Sequence, residues 1–401
     1  MSGTYKNLFN AASLREFGAD FQSVYPEFPV DAFVASTMGD GWDDLELKGR
    51  WQQVTNILAS YLPEDYAEAL AILDQVVENY SGWDGVYGMV FPYFVESFGQ
   101  DAANWDLSMT AMANYTQHAS AEFAVRPFII SNEDRMMAQM YTWSKHDNEH
   151  VRRLASEGSR PALPWAQALP AFKQDPTPVL PILEQLKDDP SAYVRKSVAN
   201  NLNDISKTHP ELVIDIARNW QGESDHTDWI IKHACRTLLK RGNRDALALF
   251  GFHDGATLNV TEFYLGNPAT SGVTASATRS DSAQQPAIQE QEAPSIGQDL
   301  PTIAMGGDLS FSFAVHTKES TKLRLEYGID FVKASGKASR KVFQISETEL
   351  GADEIKTHTK KHNFKDLSTR KHYPGTHSIT LIVNGVERGT LDFELQAETD
   401  S

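Results

Sequence analysis

The sequence predicts a chain in two parts: an all-α repeat solenoid followed by an all-β sandwich. Two observations carry this. Apolar residues recur at three- and four-residue spacing through the first 250 positions, and the period changes to two after position 300. Between them lies a stretch rich in Ala, Ser, Gln, Pro and acidic residues, 267–299, with little in it to pack.

The helical part begins with "LKGRWQQVTNILASYL" and "DYAEALAILDQVVENY", both amphipathic at helical period. Pro63, Pro127, Pro161, Pro164, Pro176 and Pro190 mark helix boundaries. The middle of the chain repeats itself. "DNEHVRRLASEG", "DPSAYVRKSVANNLND" and "DWIIKHACRTLLKRG" align on Val151, Val194 and Ile231, each with an Asp upstream, a branched aliphatic and a basic residue next. That pattern is similar to the HEAT repeat, in which helix pairs stack side by side into a solenoid. Residues 1–252 are therefore expected to form one HEAT-like domain. Residues 253–305 should connect it, through the flexible insertion 267–299, to a second domain at 306–398. There "DLSFSFAVHT", "KLRLEYGIDFV" and "HSITLIVNGVERGTLDFEL" alternate. Ile379, Leu381 and Val383 face one way, as do Leu391, Phe393 and Leu395 beyond a turn at Asn384-Gly385. Such strands predict an immunoglobulin-like sandwich without its disulfide, with Tyr373 as a corner residue.

Bulk properties narrow the function. The net charge is −18, but it is unevenly spread. Residues 1–125 carry 4 Lys+Arg against 18 Asp+Glu, whereas 126–250 carry 17 against 16 and 316–372 carry 13 against 8. The middle and the tail can thus face an anionic partner. Cys235 is the single cysteine, so an internal disulfide is excluded, and a reducing, cytoplasmic setting is expected. No basic start followed by an apolar core suggests a secretory signal, and no apolar run spans a bilayer.

"VRKSVANNLNDI" carries two stripes: Val194, Val198, Leu202 and Ile205 for burial, and Lys196, Asn200 and Asp204 on another face. Across the repeats, Arg153 and Glu157 precede this second stripe and His233 and Arg241 follow it. A common wall of carboxylates set among cations is expected. Such a wall suits a ligand that is anionic along its length and cationic at one reacting point, as DNA with an alkylated base is. A structural reading stands beside this one. Arg152, Arg195 and Lys232 fit a ladder of ion pairs with Asp, and Glu157 fits an i,i+4 pair with Arg153. Glu122 sits four before Arg126, Trp165 can plug a groove between helices, and Asp204 can pair with Lys196 or Lys207.

"AEFAVRPF", "VRRLASEGSRPALPWAQAL", "DDPSAYVRKSVANNLNDISKTHPEL" and "RKHYPGTHSITLIVNG" resemble the AlkC branch of the DNA-alkylation-repair glycosylases, over nearly the whole chain. The 267–299 insertion departs from that family's pattern and bears on domain placement, not on chemistry. The resemblance implies monofunctional excision of cationic N3-alkylated bases, 3-methyladenine and 3-methylcytosine, in base excision repair, without a cofactor or a metal. It implies a catalytic set of Glu122, Glu157, Trp165 and Asp204. Glu157 and Asp204 would stabilise an oxocarbenium-like sugar and activate water, Glu122 would add to the field, and the Trp165 indole would meet the lesion or its sugar. A cationic base leaves neutral, so a strong general acid is less needed. Phosphate contacts are expected from Arg153, Arg160, Lys196, His233 and Arg236. "KASGKASRKVF" and "KTHTKKHNFKDLSTRKH" give the sandwich either a second grip on the duplex or an ordinary solvated surface. The expected partner is alkylated double-stranded DNA, bound by a monomer. The competing function is a non-catalytic HEAT scaffold that binds protein or damaged DNA. "HDNEH" spaces His146 and His150 like a zinc motif but lacks its Glu and a third ligand.

Overall fold

The computed structural model describes residues 5–80, 86–255, 258–266, 300–366 and 371–397. The expected insertion 267–299 lies outside them. The chain divides into two compact units, Met1–Cys235 and Arg236–Ser401. No described helix is long and apolar enough to cross a membrane.

The first unit is helical throughout: α1 (Ala11–Val24), α2 (Val30–Thr37), α3 (Leu47–Ala59), α4 (Tyr66–Asn79), α5 (Val90–Phe98), α6 (Trp105–Tyr115), α7 (Val125–Ser131), α8 (Glu133–Trp143), α9 (Glu149–Gly158), α10 (Pro170–Gln174), α11 (Leu180–Leu186), α12 (Ala192–Ile205), α13 (Pro210–Trp220) and α14 (Asp225–Ala234). The front is packed by aromatic rings. Phe17 stacks on Tyr87 at 4.8 Å and meets Phe21 edge-on at 5.2 Å.

Helix α9 packs on α12, and α12 on α14, side by side as solenoid repeats do. Their starts are fixed by side-chain caps, in which Asn148, Ser191 and Ser224 each accept a backbone N–H from the first turn. The caps correct the expected alignment of the third repeat. Counted from its cap, α9 buries Val151, Leu154 and Ala155, α12 buries Val194, Ser197 and Val198, and α14 buries Thr227, Ile230 and Ile231. Thr227, not Ile231, is therefore the partner of Val194. The expected alignment is one helical turn late, so Trp229 takes the position of Arg153 and Lys196, and His233 that of Glu157 and Asn200.

The expected ladder is present between the first two repeats. Arg152 forks onto Asp189 at 2.7 and 3.1 Å, and donates to the carbonyls of His146 and Asp147. One repeat later Arg195 donates in the same way to the carbonyls of Asp189 and Pro190.

The second unit opens with α15 (Arg236–Lys240) and α16 (Arg244–Leu249). A β-sandwich follows: β1 (Asn259–Leu265), β2 (Thr302–Ala304), β3 (Asp308–His316), β4 (Thr321–Val332), β5 (Ala338–Leu350), β6 (Ile355–Asn363), β7 (Gly375–Val383) and β8 (Val386–Gln396). One sheet runs β1-β3-β6 and the other β2-β8-β7-β4-β5. Leu309, Phe311, Phe313 and Val315 meet Leu323, Leu325, Ile379, Leu381, Val383, Leu391, Phe393 and Leu395 in a single core, as the alternation predicts. Strands β7 and β8 are joined through Asn384-Gly385, both at positive φ (48° and 77°), the two-residue geometry that matches strand twist. The Tyr373 carbonyl lies 3.0 Å from Nε2 of His377, a contact of the backbone and not of the hydroxyl that a tyrosine corner uses.

Candidate active site

The last turns of α9 and α12 bring carboxylates and cations into one continuous chain. Ser120 Oγ donates to Glu122 Oε2 at 2.8 Å, and the Arg153 guanidinium bonds the same oxygen. Arg153 also lies 3.5 Å from Glu157 Oε1, and Arg160 donates to that oxygen at 2.5 Å. Arg160 then reaches Asp204 Oδ2 at 2.8 Å, and Lys207 donates to Asp204 Oδ1 at 2.7 Å. Ser197 on α12 completes Glu157 by donating to Oε2 at 2.6 Å. Glu157 and Asp204 are buried, each 5% exposed. Unpaired carboxylates at that depth would be expelled, and the cations make them tenable.

Position in the repeat explains this geometry. Glu157 follows Leu154 and Ala155 on the buried side of α9, and Asp204 sits between Leu202 and Ile205 at the end of α12. Both carboxylates thus come from the C-terminal ends of helices that pack together, where cations are also favoured by the helix dipole. Burial alone would lower the Arg160 pKa, but the neighbouring Glu157 and Asp204 carboxylates reverse that and raise it.

Arg126 braces the network from below. It is 1% exposed and donates to the carbonyls of Gly158, at 3.0 Å, and Gln167. Burial pushes its guanidinium down to about 10, with Arg160 adding to the fall and Asp204, Glu122 and Glu157 opposing it. The pairing of Glu122 with Arg126 suggested by their spacing does not form: Arg126 directs Nε and Nη1 to backbone carbonyls, and Glu122 pairs with Arg153.

Trp165 does not plug a groove. Its indole is 77% exposed and its φ is +65°, the left-handed region that bulky residues avoid. Its carbonyl accepts from Lys48 of α3.

The residues expected to grip phosphate divide. Arg153 and Arg160 belong to the carboxylate network and are mostly buried, so Arg160 is placed as a bridge between Glu157 and Asp204. Lys196 is exposed and makes no ion pair among the described residues. His233 stacks on Trp229 at 5.2 Å, and Arg236 is the first residue of the second unit. His146 accepts from the Asn148 backbone N–H through Nδ1, and His150 packs edge-on against Tyr193. No group of three or more His, Cys, Asp or Glu among the described residues is arranged to hold a metal.

Two site residues carry no evident signal in the sequence. Ser197 lies among the buried residues of α12 and looks like a small packing residue until Glu157 is placed against it. Tyr193 offers its ring to Arg153 at 5.0 Å and keeps 42% of its surface exposed. Burial raises its hydroxyl pKa; Arg153 lowers it, and Glu122, Glu157 and Glu149 raise it further. The position of Tyr193 three residues before Lys196, on the outward side of α12, is the one hint available.

The arrangement is similar to known proteins over its full length. The solved Pseudomonas fluorescens alkylpurine DNA glycosylase AlkC, bound to DNA containing an abasic site analog, matches at a TM-score of 0.84 with 35% identity. The match covers 98% of this chain and 99% of that one. The uncharacterized protein YhaZ of Bacillus subtilis (strain 168) is 44% identical over 390 residues, 97% of this chain and 99% of its own. The chain belongs to the AlkC-like DNA alkylation repair enzyme family. Within this family's architecture, residues 94–238 match the DNA alkylation repair enzyme model. Residues 294–397 match the C-terminal Ig-like domain of YhaZ. The first match spans the helices that build the carboxylate network, and the second spans most of the sandwich.

Proposed function

We propose that this chain is a monofunctional DNA glycosylase that hydrolyses the N-glycosidic bond of cationic N3-alkylated bases, 3-methyladenine and 3-methylcytosine, in duplex DNA. The observation that carries this reading is the pair of buried carboxylates, Glu157 and Asp204, clamped by one guanidinium, Arg160. A surface built only to hold phosphate gains nothing from buried Glu and Asp. A site that meets a sugar becoming positively charged gains from both. The Pseudomonas fluorescens structural neighbour is an alkylpurine DNA glycosylase bound to DNA, which agrees in reaction class and partner.

The chemistry balances without a cofactor. The bond from C1′ to the base breaks, and its electron pair goes to the base, which leaves neutral. Water adds to C1′ and yields one proton, and the products are free base and an abasic site. Glu157 and Asp204 face the oxocarbenium charge from fixed positions. Among the described residues Glu157 Oε2 accepts from Ser197 and Asp204 Oδ1 from Lys207, and a carboxylate oxygen so bonded has a further lone pair to offer water. Oε1 of Glu122 carries no hydrogen bond among the described residues and is a third acceptor. Trp165 presents an indole face to the cationic base. Lys196 and the His233–Trp229 stack are the proposed backbone contacts of this unit, with Arg236 a further one from the second, and Arg153 and Arg160 act through the carboxylates they hold.

The deciding experiment measures free-base release from duplexes carrying 3-methyladenine or 3-methylcytosine. Glu157→Gln and Asp204→Asn should each slow release by about a hundredfold or more while duplex affinity is kept. No release by the parent chain from either lesion would leave the wall as a binding surface and favour a non-catalytic scaffold.

A further inference from the structure

Lys48 occupies a position that helix stability does not explain. It lies in the first turn of α3, where the helix dipole disfavours a cation, and the residue ahead of the helix, Glu46, makes no side-chain cap. Its ammonium leaves α3, passes 4.3 Å from the centre of the Phe123 ring beside Glu122, and donates to the carbonyl of Trp165, 117 positions away. Glu96 of α5 also acts on the Lys48 charge, and its Oε2 is buried and carries no hydrogen bond among the described residues. Burial lowers the Lys48 pKa, Glu96 raises it and Arg126 lowers it, as expected of an ammonium drawn in against protein rather than left in water.

The Trp165 turn needs such a tether. A tryptophan at φ +65° carries a steric cost, and an indole that is 77% exposed recovers little of it by packing. Within the turn the bonds are weak: Ala166 N–H reaches the Leu163 carbonyl at 3.3 Å, and Leu169 N–H reaches that of Pro161 at 3.2 Å. From outside, two cations seize the turn by its carbonyls, Arg126 at Gln167 and Lys48 at Trp165.

We infer that Lys48 is a clamp that holds Trp165 in its left-handed, outward-facing conformation, which makes Lys48 a positioning residue for base release. The role in base release rests on the proposed placement of Trp165 against the lesion; the clamp itself does not.

The test therefore has two arms. In full-length protein, the emission of Trp165 is isolated by subtracting the Trp165→Phe variant, and its anisotropy is read. Lys48→Met should lower that anisotropy by about a third or more, and Lys48→Arg should restore it. Unchanged anisotropy in Lys48→Met overturns the clamp. In the second arm, Lys48→Met should slow release of 3-methyladenine about tenfold with duplex affinity kept within about twofold. It should add less than about twofold in a Trp165→Ala background. Multiplying losses in the double variant would mean that Lys48 acts on the DNA itself and would overturn the positioning role. A Trp165→Ala chain that releases base at the parental rate removes Trp165 from the site, and the anisotropy then decides the clamp alone.

Discussion

Arg160 grips Asp204 with two nitrogens, Nε and Nη2, both 2.8 Å from the same carboxylate oxygen, while its Nη1 lies 2.5 Å from Glu157. One guanidinium thus fixes the distance between two buried carboxylates carried by different repeats. Arg160→Met keeps much of the side-chain volume but removes the charge shared by both acids. The remaining cations, Arg153 and Lys207, each touch only one of the two. Unfolding in urea should show a loss of about 3–5 kcal/mol, the cost of breaking a buried ion pair from one side. A loss below about 1 kcal/mol would mean that the carboxylates do not depend on Arg160.

Arg152 and Arg153 are neighbours with opposite duties. Arg152 turns away from the carboxylate network and forks onto Asp189, tying α9 to the start of α12. Arg152→Ala should cost about 1.5–3 kcal/mol in stability, as a charge-assisted pair does. At a temperature where the variant stays folded, base release should remain within about twofold of the parent. Arg153→Ala should do the reverse, with a larger loss of release than of stability. Equal losses of release in the two variants would erase the distinction drawn between ladder and site.

The sequence makes the architecture legible where one signal dominates. Helices α9 and α12 are visible because an aliphatic, an Arg or Lys and a regular period coincide, and β3, β4, β7 and β8 because burial on one face forces alternation. The third repeat slips by a turn because Thr227 fills the buried position that Val151 and Val194 hold elsewhere, and a threonine does not announce burial. Strand β6, "IKTHTKKHN", pairs along its length with β3 yet reads as a basic surface tract, since as an edge strand it leaves most of its side chains in solvent. Glu157 and Asp204 stand out from the repeat, but their junction does not. Arg160 is three residues from Glu157 and 44 from Asp204, and no periodicity links the two. The outward turn of Trp165 depends on Lys48 and Arg126 from distant helices, so its own neighbours in sequence do not reveal it.

Glu96 gives the fold a dependence on pH. Burial raises its carboxyl pKa from 4.5 to about 7, with Lys48 pulling the other way. Below pH 4.5 the group is protonated in folded and unfolded chains alike. Between 4.5 and about 7 the folded chain keeps a proton that the unfolded chain has released, so this contribution to stability falls as pH rises and levels off above that window. Glu96→Gln should remove the slope. The difference in unfolding free energy between variant and parent should grow from pH 5 to pH 8, up to about 3 kcal/mol in favour of the variant. A constant difference across that range would exclude Glu96 as the titrating group.

Gly158 sets how closely α9 approaches its neighbours. A Cβ there would lie 2.7 Å from Val125 Cγ2 and 3.1 Å from Met140 Cε, closer than packed carbons tolerate. Helix propensity alone predicts that Gly158→Ala stabilises the chain by about 1 kcal/mol. Overpacking predicts the opposite sign, a loss of about 1–3 kcal/mol, and the contact distances favour overpacking. The clash also falls beside Glu157 and on the residue whose carbonyl Arg126 holds, so relief by shifting α9 moves a site carboxylate. Gly158→Ala should therefore lower both the urea midpoint and base release. Removing the nearer struck methyl group with Val125→Ala should restore part of both, leaving the double variant more stable than the two single losses predict. A stabilised single variant with full release would show that α9 has room to spare and that the position of Glu157 does not depend on this contact.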